Sequence, residues 1–266
     1  MTISVITVTF NSERTIRDTI ESVLRQTYRD VEYIIIDGAS KDGTLDIIKG
    51  YEPKFAGRMR YISEPDDGIY YAMNKGIEMS SGDVIGFLNS DDIYYDTDVL
   101  SDIAHVMVEK EIDCVFGDLM FVYPNNKTRI IREWKGSPYR KGIFNSGWMP
   151  AHPTFYVRKG CYSKYGCYDT SMKVSADFDL MMRFLEKEQI PNLYIKRRFV
   201  IMSYGGKSTG SILNIIKGNK SIRNAFKKNG GKVPKLYYVR RLFPKFINLL
   251  KMELFNKQLD NSNDSK

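Results

Sequence analysis

Val84-Ile85-Gly86-Phe87-Leu88-Asn89-Ser90-Asp91-Asp92 runs from an unbroken apolar stretch straight into two adjacent carboxylates. Five apolar residues bounded by Gly82-Asp83 and by acids read as a strand buried on both faces, the pattern of a parallel sheet. Open α/β sheets bind their ligands just beyond the carboxyl ends of such strands. Two neighbouring carboxylates there repel each other unless a cation or a hydrogen-bonded ligand relieves them. Hard divalent cations that also hold substrate phosphates are bound in this way. The pair therefore points to a metal-assisted nucleotide site. A polar loop closing an ordinary strand is the competing explanation.

Working outward, Ile3–Phe10 is a short apolar strand, with Asn11-Ser12 placed to cap a helix over Glu13–Gln26. Val31–Ile36 is a second buried strand, ending at Asp37-Gly38, and a helix begins at Leu45. Met59–Ser63 is a third strand, Gly68–Met79 and Val99–Lys110 are helices, and Cys114–Gly117 is a further strand. Strands alternating with helical patterns predict an α/β fold with a mostly parallel sheet flanked by helices. Lys127–Trp134 alternates like a strand of a smaller mixed sheet. Phe178–Lys187 reads as a helix opened by Ser175-Ala176-Asp177. Asn11-Ser12, Asp37, Glu64-Asp66-Asp67 and Asp91-Asp92 all fall at strand ends, a recurrence that solvation alone explains poorly.

The net charge of +8 is unevenly spread. Residues 196–257 carry sixteen lysines and arginines against one acid, Glu253, whereas residues 1–195 are mildly acidic. The basic quarter also holds Leu236, Tyr237, Leu242, Phe243, Phe246, Leu249 and Leu250. Basic and apolar residues interleaved in this way predict a patch facing an anionic membrane surface. A helical appendage packed on the body with a solvated basic face is the plainer reading. Nucleic acid is a third, without a recognised motif, and is not expected as a partner. The predicted organisation is a catalytic domain over 1–210, a basic amphipathic helical segment over 211–257 and a disordered tail over 258–266. Three cysteines fit a reducing compartment. His105 and His152 have no partners at zinc-ligand spacing. The N-terminus reads as a first strand rather than a signal peptide, and no apolar stretch is long enough to span a bilayer. A cytoplasmic protein, peripheral at the inner face of the membrane, is the expectation.

The ordered set Thr7-Val8-Thr9-Phe10-Asn11, Ile36-Asp37-Gly38-Ala39-Ser40-Lys41-Asp42-Gly43-Thr44, Asp66-Asp67-Gly68-Ile69-Tyr70 with Ala72-Met73-Asn74-Lys75-Gly76, and Phe87-Leu88-Asn89-Ser90-Asp91-Asp92 resembles the family 2 glycosyltransferases. Each motif alone is weak; their order and spacing over about residues 2–205 are specific. The resemblance implies the type-A glycosyltransferase fold, an inverting mechanism and a divalent metal, Mn2+ or Mg2+. It implies that Asp37 hydrogen-bonds the base of a nucleotide-sugar donor, most often uracil, with Thr9 beside that base, and Asn11 is a further donor-binding candidate. Asp91 would contact ribose or sugar, and Asp92 would ligate the metal on the diphosphate. Asp177 sits where the family places its catalytic base, although Ala176 replaces the acid that often precedes it. The Gln-x-x-Arg-Trp motif of processive members is absent, as is a membrane span, which favours addition of a single sugar. The basic, apolar C-terminal quarter, with the family analogy, suggests a glycan or polyprenyl-linked acceptor, as in bacterial surface polysaccharide assembly.

One carboxylate ligand leaves room for water and phosphate oxygens around such a metal. A positioned carboxylate such as Asp177 takes the acceptor's proton, with Asp179 as the runner-up. Asp67 and Lys75 are weaker donor-site candidates. Trp148, His152 and Lys207 in Gly205-Gly206-Lys207-Ser208 are weak candidates for acceptor or phosphate contacts. A catalytically silent nucleotide-sugar-binding scaffold on the same fold is the alternative. The joint presence of Asp37, Asp91, Asp92 and Asp177 argues against it.

Overall fold

The computed structural model describes residues 1–123, 126–203 and 212–241. Its chain order is β1 (Ile3–Thr9), α1 (Ile16–Leu24), β2 (Val31–Asp37), α2 (Thr44–Tyr51), β3 (Met59–Ser63), α3 (Ile69–Met79), β4 (Val84–Phe87) and β5 (Asp92–Tyr94). There follow α4 (Val99–Glu109), β6 (Cys114–Tyr123), β7 (Asn126–Trp134), β8 (Tyr156–Arg158), α5 (Lys159–Tyr165), α6 (Ala176–Met182), β9 (Asn192–Ser203) and α7 (Ile212–Lys228). The strands form one sheet in the order β3-β2-β1-β4-β8-β6-β9-β5, with β7 paired to β6. The half containing β3, β2, β1 and β4 is wholly parallel. In the other half β8 runs antiparallel to both β4 and β6, β9 runs parallel to β6, and β5 closes the order antiparallel to β9.

The parallel half forms because its strands are apolar on both faces and helices cover both. Ile6, Val8, Ile34, Ile36, Ile85 and Phe87 pack with α3 and α6 on one side. Val5, Tyr33, Ile35 and Val84 pack with α1, α2 and α4 on the other. A charged residue in any of these positions would lose its hydration without a partner; the charges that the strands do carry are partnered, Glu32 by Ser4 and Arg60, and Asp37 by Ser40 and Ser63.

The second half departs from expectation. β6 continues past Gly117 to Tyr123, and β9, a twelve-residue strand, was not anticipated. Lys196-Arg197-Arg198 interrupts the apolar pattern of β9, yet Arg197 and Arg198 pair with Asp96 and Glu133. Gly117 reads as a terminator but serves close packing, since a Cβ there would lie 2.7 Å from the Phe199 ring. The helix expected over Phe178–Lys187 is α6 from Ala176 followed by a π-helical turn over Arg183–Lys187. Ser12 does not cap α1 with its hydroxyl. Its carbonyl accepts the Ile16 N–H at 2.9 Å, and its Oγ lies 2.9 Å from Ser90 Oγ.

Part of the basic quarter is built into the body. In α7 and just beyond, Ile222, Ala225, Phe226 and Tyr237 are buried in the same core as Ala176 and Phe178 of α6. No helix of the described residues is long and apolar enough to cross a membrane. The segment 242–257 and the tail lie outside the described residues.

Gly86 shows how tightly the sheet is packed. A Cβ there would stand 2.0 Å from Cε1 of Tyr156, whose hydroxyl is 2.6 Å from that of Tyr94 in the core. Gly86→Ala is therefore expected to lower stability by about 1–3 kcal/mol, the usual cost of overpacking. Urea denaturation with an unchanged m-value checks this.

Candidate active site

At the carboxyl edge of the parallel half, Thr9 and Asp37 are direct partners in the β1–β2 ladder, and Ser63 is the partner of Asp37 in β3. Asp37 is fully buried. Its carboxylate accepts the Ser63 hydroxyl at 2.6 Å, the Ser40 backbone N–H at 3.0 Å and the Ser40 hydroxyl. A carboxylate offers about four acceptor positions, so one remains for a ligand N–H. Thr9 Oγ1 is buried with no hydrogen-bond partner among the described residues. Asn11 is used differently from expectation. With φ at +52°, its Oδ1 accepts the Lys41 N–H at 2.9 Å and its own N–H donates to Ser40 Oγ at 2.8 Å. It ties the loops after β1 and β2 together and holds Ser40 on Asp37. Phe10 escaped the sequence reading. It is 48% exposed, and its ring lies 3.4 Å from where a Gly38 Cβ would stand. Its signal was an aromatic residue one position beyond a buried strand.

Asp92 begins β5 and is fully buried. Asn89 Nδ2 donates to its Oδ2 at 2.8 Å, while Oδ1 has no hydrogen-bond partner among the described residues. Burial, reinforced by the neighbouring charge of Asp91, pushes the Asp92 carboxyl well above the usual carboxylate range. Asp91 is half-buried beside it. Among the described residues no three His, Cys, Asp or Glu side chains converge on one point. The orphaned Oδ1 nonetheless suits one hard cation whose remaining ligands are phosphate oxygens and water. Near this edge, Lys75 Nζ lies 2.6 Å from Asp66 Oδ1 and 2.6 Å from Glu64 Oε1, and both hold its pKa above the ordinary lysine value. Asp67 is exposed and Asp66 is the acid that faces Lys75.

Asp177 lies in the first turn of α6, behind Ser175, whose φ of +63° is an uncommon conformation for a residue with a Cβ. Tyr70 of α3 donates its hydroxyl toward Asp177 Oδ1 at 3.4 Å. Asp179 turns away. It is buried against Arg183 at 3.4 Å and accepts Asn229 Nδ2 at 3.1 Å. The structure thus separates two acids that the sequence placed two residues apart. His152 Nε2 is 2.7 Å from the Tyr168 hydroxyl, and its ring stacks on Phe87 at 5.5 Å. Burial lowers its pKa, while the negative charge of Asp177 partly offsets that effect. Tyr168 is itself bracketed by Asn74, which accepts its backbone N–H at 3.0 Å and donates to its carbonyl at 2.9 Å. Tyr70 and Asn74 stand inside motifs quoted above without a role of their own, and Tyr168 carried no signal in the sequence.

Trp148 is half-buried, edge-on to Phe116 and Phe144 at 5.9 and 5.6 Å, and its buried Nε1 has no hydrogen-bond partner among the described residues. Lys207 lies outside the described residues. The described residues therefore place a buried, hydrogen-bonded carboxylate at Asp37, a buried carboxylate with an unpartnered oxygen at Asp92 beside Asp91, and a carboxylate at Asp177.

Comparison with known proteins agrees with this geometry. Residues 4–166 match the family model "Glycosyl transferase family 2". A PGL/p-HBAD biosynthesis glycosyltransferase of Mycobacterium tuberculosis is 29% identical over 202 residues, covering 76% of this chain and 75% of that protein. An uncharacterised glycosyltransferase of the same species is 32% identical over 187 residues, 68% of each chain. Among solved structures, S. aureus TarS superposes with a TM-score of 0.66 at 17% identity, covering 91% of this chain but 44% of TarS. The Pyrobaculum calidifontis mannosyltransferase PcManGT, in complex with GDP-Man and Mn2+, does so with a TM-score of 0.63 at 15% identity, covering 99% of this chain and 75% of that one. These structures share the fold, and the family match spans more than half of the chain: the protein belongs to glycosyl transferase family 2 and is a glycosyltransferase.

Proposed function

We propose that the protein moves a single sugar from a nucleotide-sugar donor, a UDP-sugar, to a hydroxyl of a glycan or lipid-linked acceptor, with inversion at the sugar carbon. The observation that carries this reading is one sheet edge holding both a nearly saturated buried carboxylate, Asp37, and a buried carboxylate with an orphaned oxygen, Asp92. A scaffold that only binds the donor would use these two acids as well; it has no use for the third, Asp177, which Tyr70 contacts.

The remaining acceptor position on Asp37 suits a base with a ring N–H, such as uracil, and opposes cytosine, whose ring nitrogen is itself an acceptor. Phe10 offers the base a flat apolar face, and Thr9 Oγ1 gains a partner. Asp91 takes a ribose or sugar hydroxyl. Asp92 would hold a Mn2+ or Mg2+ ion against the diphosphate, and that ion supplies charge neutralisation for the leaving group. TarS has been crystallised with UDP and with UDP-GlcNAc, and PcManGT with GDP-Man and Mn2+. Those complexes support a nucleotide-sugar donor without choosing the sugar.

Asp177 takes the proton of the acceptor hydroxyl as its oxygen forms the new bond to the sugar carbon. The bond from that carbon to the diphosphate breaks on the opposite side, so the electron pair leaves with the nucleoside diphosphate and the proton rests on Asp177. No protein nucleophile is required. Tyr70 orients the carboxylate through Oδ1, leaving Oδ2 for the acceptor. Trp148 and His152 line the acceptor side. Lys75 is held by acids and serves donor binding by fixing Asp66. The acidic body and basic C-terminal quarter support an acceptor presented at an anionic membrane, with the protein peripheral on its inner face.

Calorimetric titration with UDP, GDP, CDP and dTDP, each with Mn2+ and with EDTA, tests the donor assignment. UDP is expected to bind in a metal-dependent manner and CDP not to bind; failure of all four overturns the assignment. Asp177→Asn should lower kcat about 10²–10⁴-fold with donor affinity within twofold of wild type. Persistence of turnover would remove Asp177 from the base role. Asp92→Asn relieves a buried charge while keeping the shape of the side chain. If about 1 kcal/mol is recovered, the metal-free protein gains about 2–4 °C in Tm, while the further Tm increase with UDP and Mn2+ is lost. Scanning calorimetry of both proteins with and without UDP and Mn2+ reads both effects.

A further inference from the structure

The short helical stretch after Pro234 has two opposed faces. On the inner one, Tyr237 is fully buried, its ring 6.4 Å from that of Phe178 and 5.2 Å from that of Phe226. Tyr238 donates its hydroxyl to the Asn219 carbonyl at 3.2 Å, and Arg241 reaches Asn219 Oδ1 at 3.3 Å. On the outer face, Leu236 and Val239 are 57% and 61% exposed, one helical turn apart, with Lys232, Lys235 and Arg240 exposed around them. Large aliphatic side chains held this far into water by a well-anchored neighbour cost free energy unless something covers them. The chain from 219 to 241 carries eight lysines and arginines and no acid, so a covering surface must be negative as well as apolar.

The segment that carries this face packs by its inner side next to the helix of Asp177. Phe178, against which Tyr237 packs, follows Asp177 directly. The backbone of Arg241 passes so close to Gly147 that a Cβ there, at a φ of +86°, would meet Arg241 Cα at 3.0 Å, one residue before Trp148. Asn229 holds Asp179, and Lys228 pairs with Asp169, so the end of α7 is tied to α6 and to the loop before it. The C-terminal segment thus braces both the base helix and the loop carrying Trp148.

We propose that Leu236 and Val239, with the exposed Lys235 and Arg240 next to them in the chain and Lys232 just before Pro234, form a docking face for an anionic lipid bilayer, carried by the segment that packs against the helix of Asp177. The aliphatic pair enters the boundary between headgroups and acyl chains, and the cations pair with lipid phosphates. A lipid-linked acceptor then reaches the base without leaving the surface. The inference rests on the proposed lipid-linked acceptor for its purpose, but not for its test.

The test is sedimentation of the full chain with vesicles of phosphatidylglycerol and phosphatidylcholine, and with phosphatidylcholine alone, at low and high salt. Wild type is expected to partition onto the anionic vesicles only, and to be released by salt. Leu236→Glu/Val239→Glu should weaken partitioning at least tenfold. Lys232→Ala, Lys235→Ala and Arg240→Ala should each weaken it about fivefold at low salt. All these positions are exposed, and circular dichroism with UDP titration on the same samples shows whether fold and donor site are intact. Unchanged partitioning of the double glutamate variant overturns the proposal, as does wild type that ignores anionic vesicles. A wild-type dimer that the glutamate variant converts to monomer, without vesicle binding, overturns it and gives the face to a second copy. Loss of UDP binding in wild type would instead count against the donor assignment, leaving the vesicle result to stand by itself.

Discussion

Thr9 faces Asp37 across the β1–β2 ladder, Asp37 faces Ser63 across β2–β3, and Phe87 of β4 lies level with Ile6. Everything at the ligand edge depends on this parallel register. A parallel pair slipped by one residue would turn every side chain to the opposite face of the sheet. It would put Asp37 among aliphatic side chains without its three donors and turn Ile36 toward the loops. The register is in turn held by the core residues beneath it, which are buried on both faces and have no polar alternative. The binding edge is thus a consequence of the core rather than an addition to it.

The same edge shows how burial is used against stability. Asp37 is desolvated but compensated by Ser40 and Ser63. Asp92 is desolvated and only half compensated, by Asn89. Asp37 keeps one acceptor position open beside three donors, whereas Asp92 keeps an oxygen with no hydrogen-bond partner among the described residues, and a cation there would offset the cost of its burial. The polar loops are held accordingly by side chains rather than by helix caps. Asn11 reaches across to Ser40 and Lys41, and Ser12 to Ser90. Strained backbone at Asn11, Ala39 and Ser175 lies at these same places, where the surrounding structure fixes conformations the residues would not choose alone.

The parallel half was legible because its strands are dominated by aliphatic residues, β2 and β4 most of all, and the connections between them carry a helical period. β5, β8 and β9 were not, for reasons that differ. β5 and β8 are three residues each, below the length at which alternation is informative. β9 carries three consecutive basic residues, two of which meet acids brought from more than sixty positions away. Asp179 illustrates the same limit at the site. Spacing allowed it to compete with Asp177, and only the contacts with Arg183 and Asn229 decide against it.

By itself, the sequence determined the α/β class, the order of the parallel strands' polar ends and the identity of the acids there, because apolar periodicity and strand-end chemistry are local. Tertiary structure alone decided which of those acids is satisfied and which is left open. It alone brought Tyr70 and His152 to Asp177, gave Lys75 the partners Glu64 and Asp66, and joined the end of α7 to the helix that carries Asp177. Those outcomes depend on contacts between residues tens of positions apart, whose geometry is set by packing and by the cost of burying an unpaired charge.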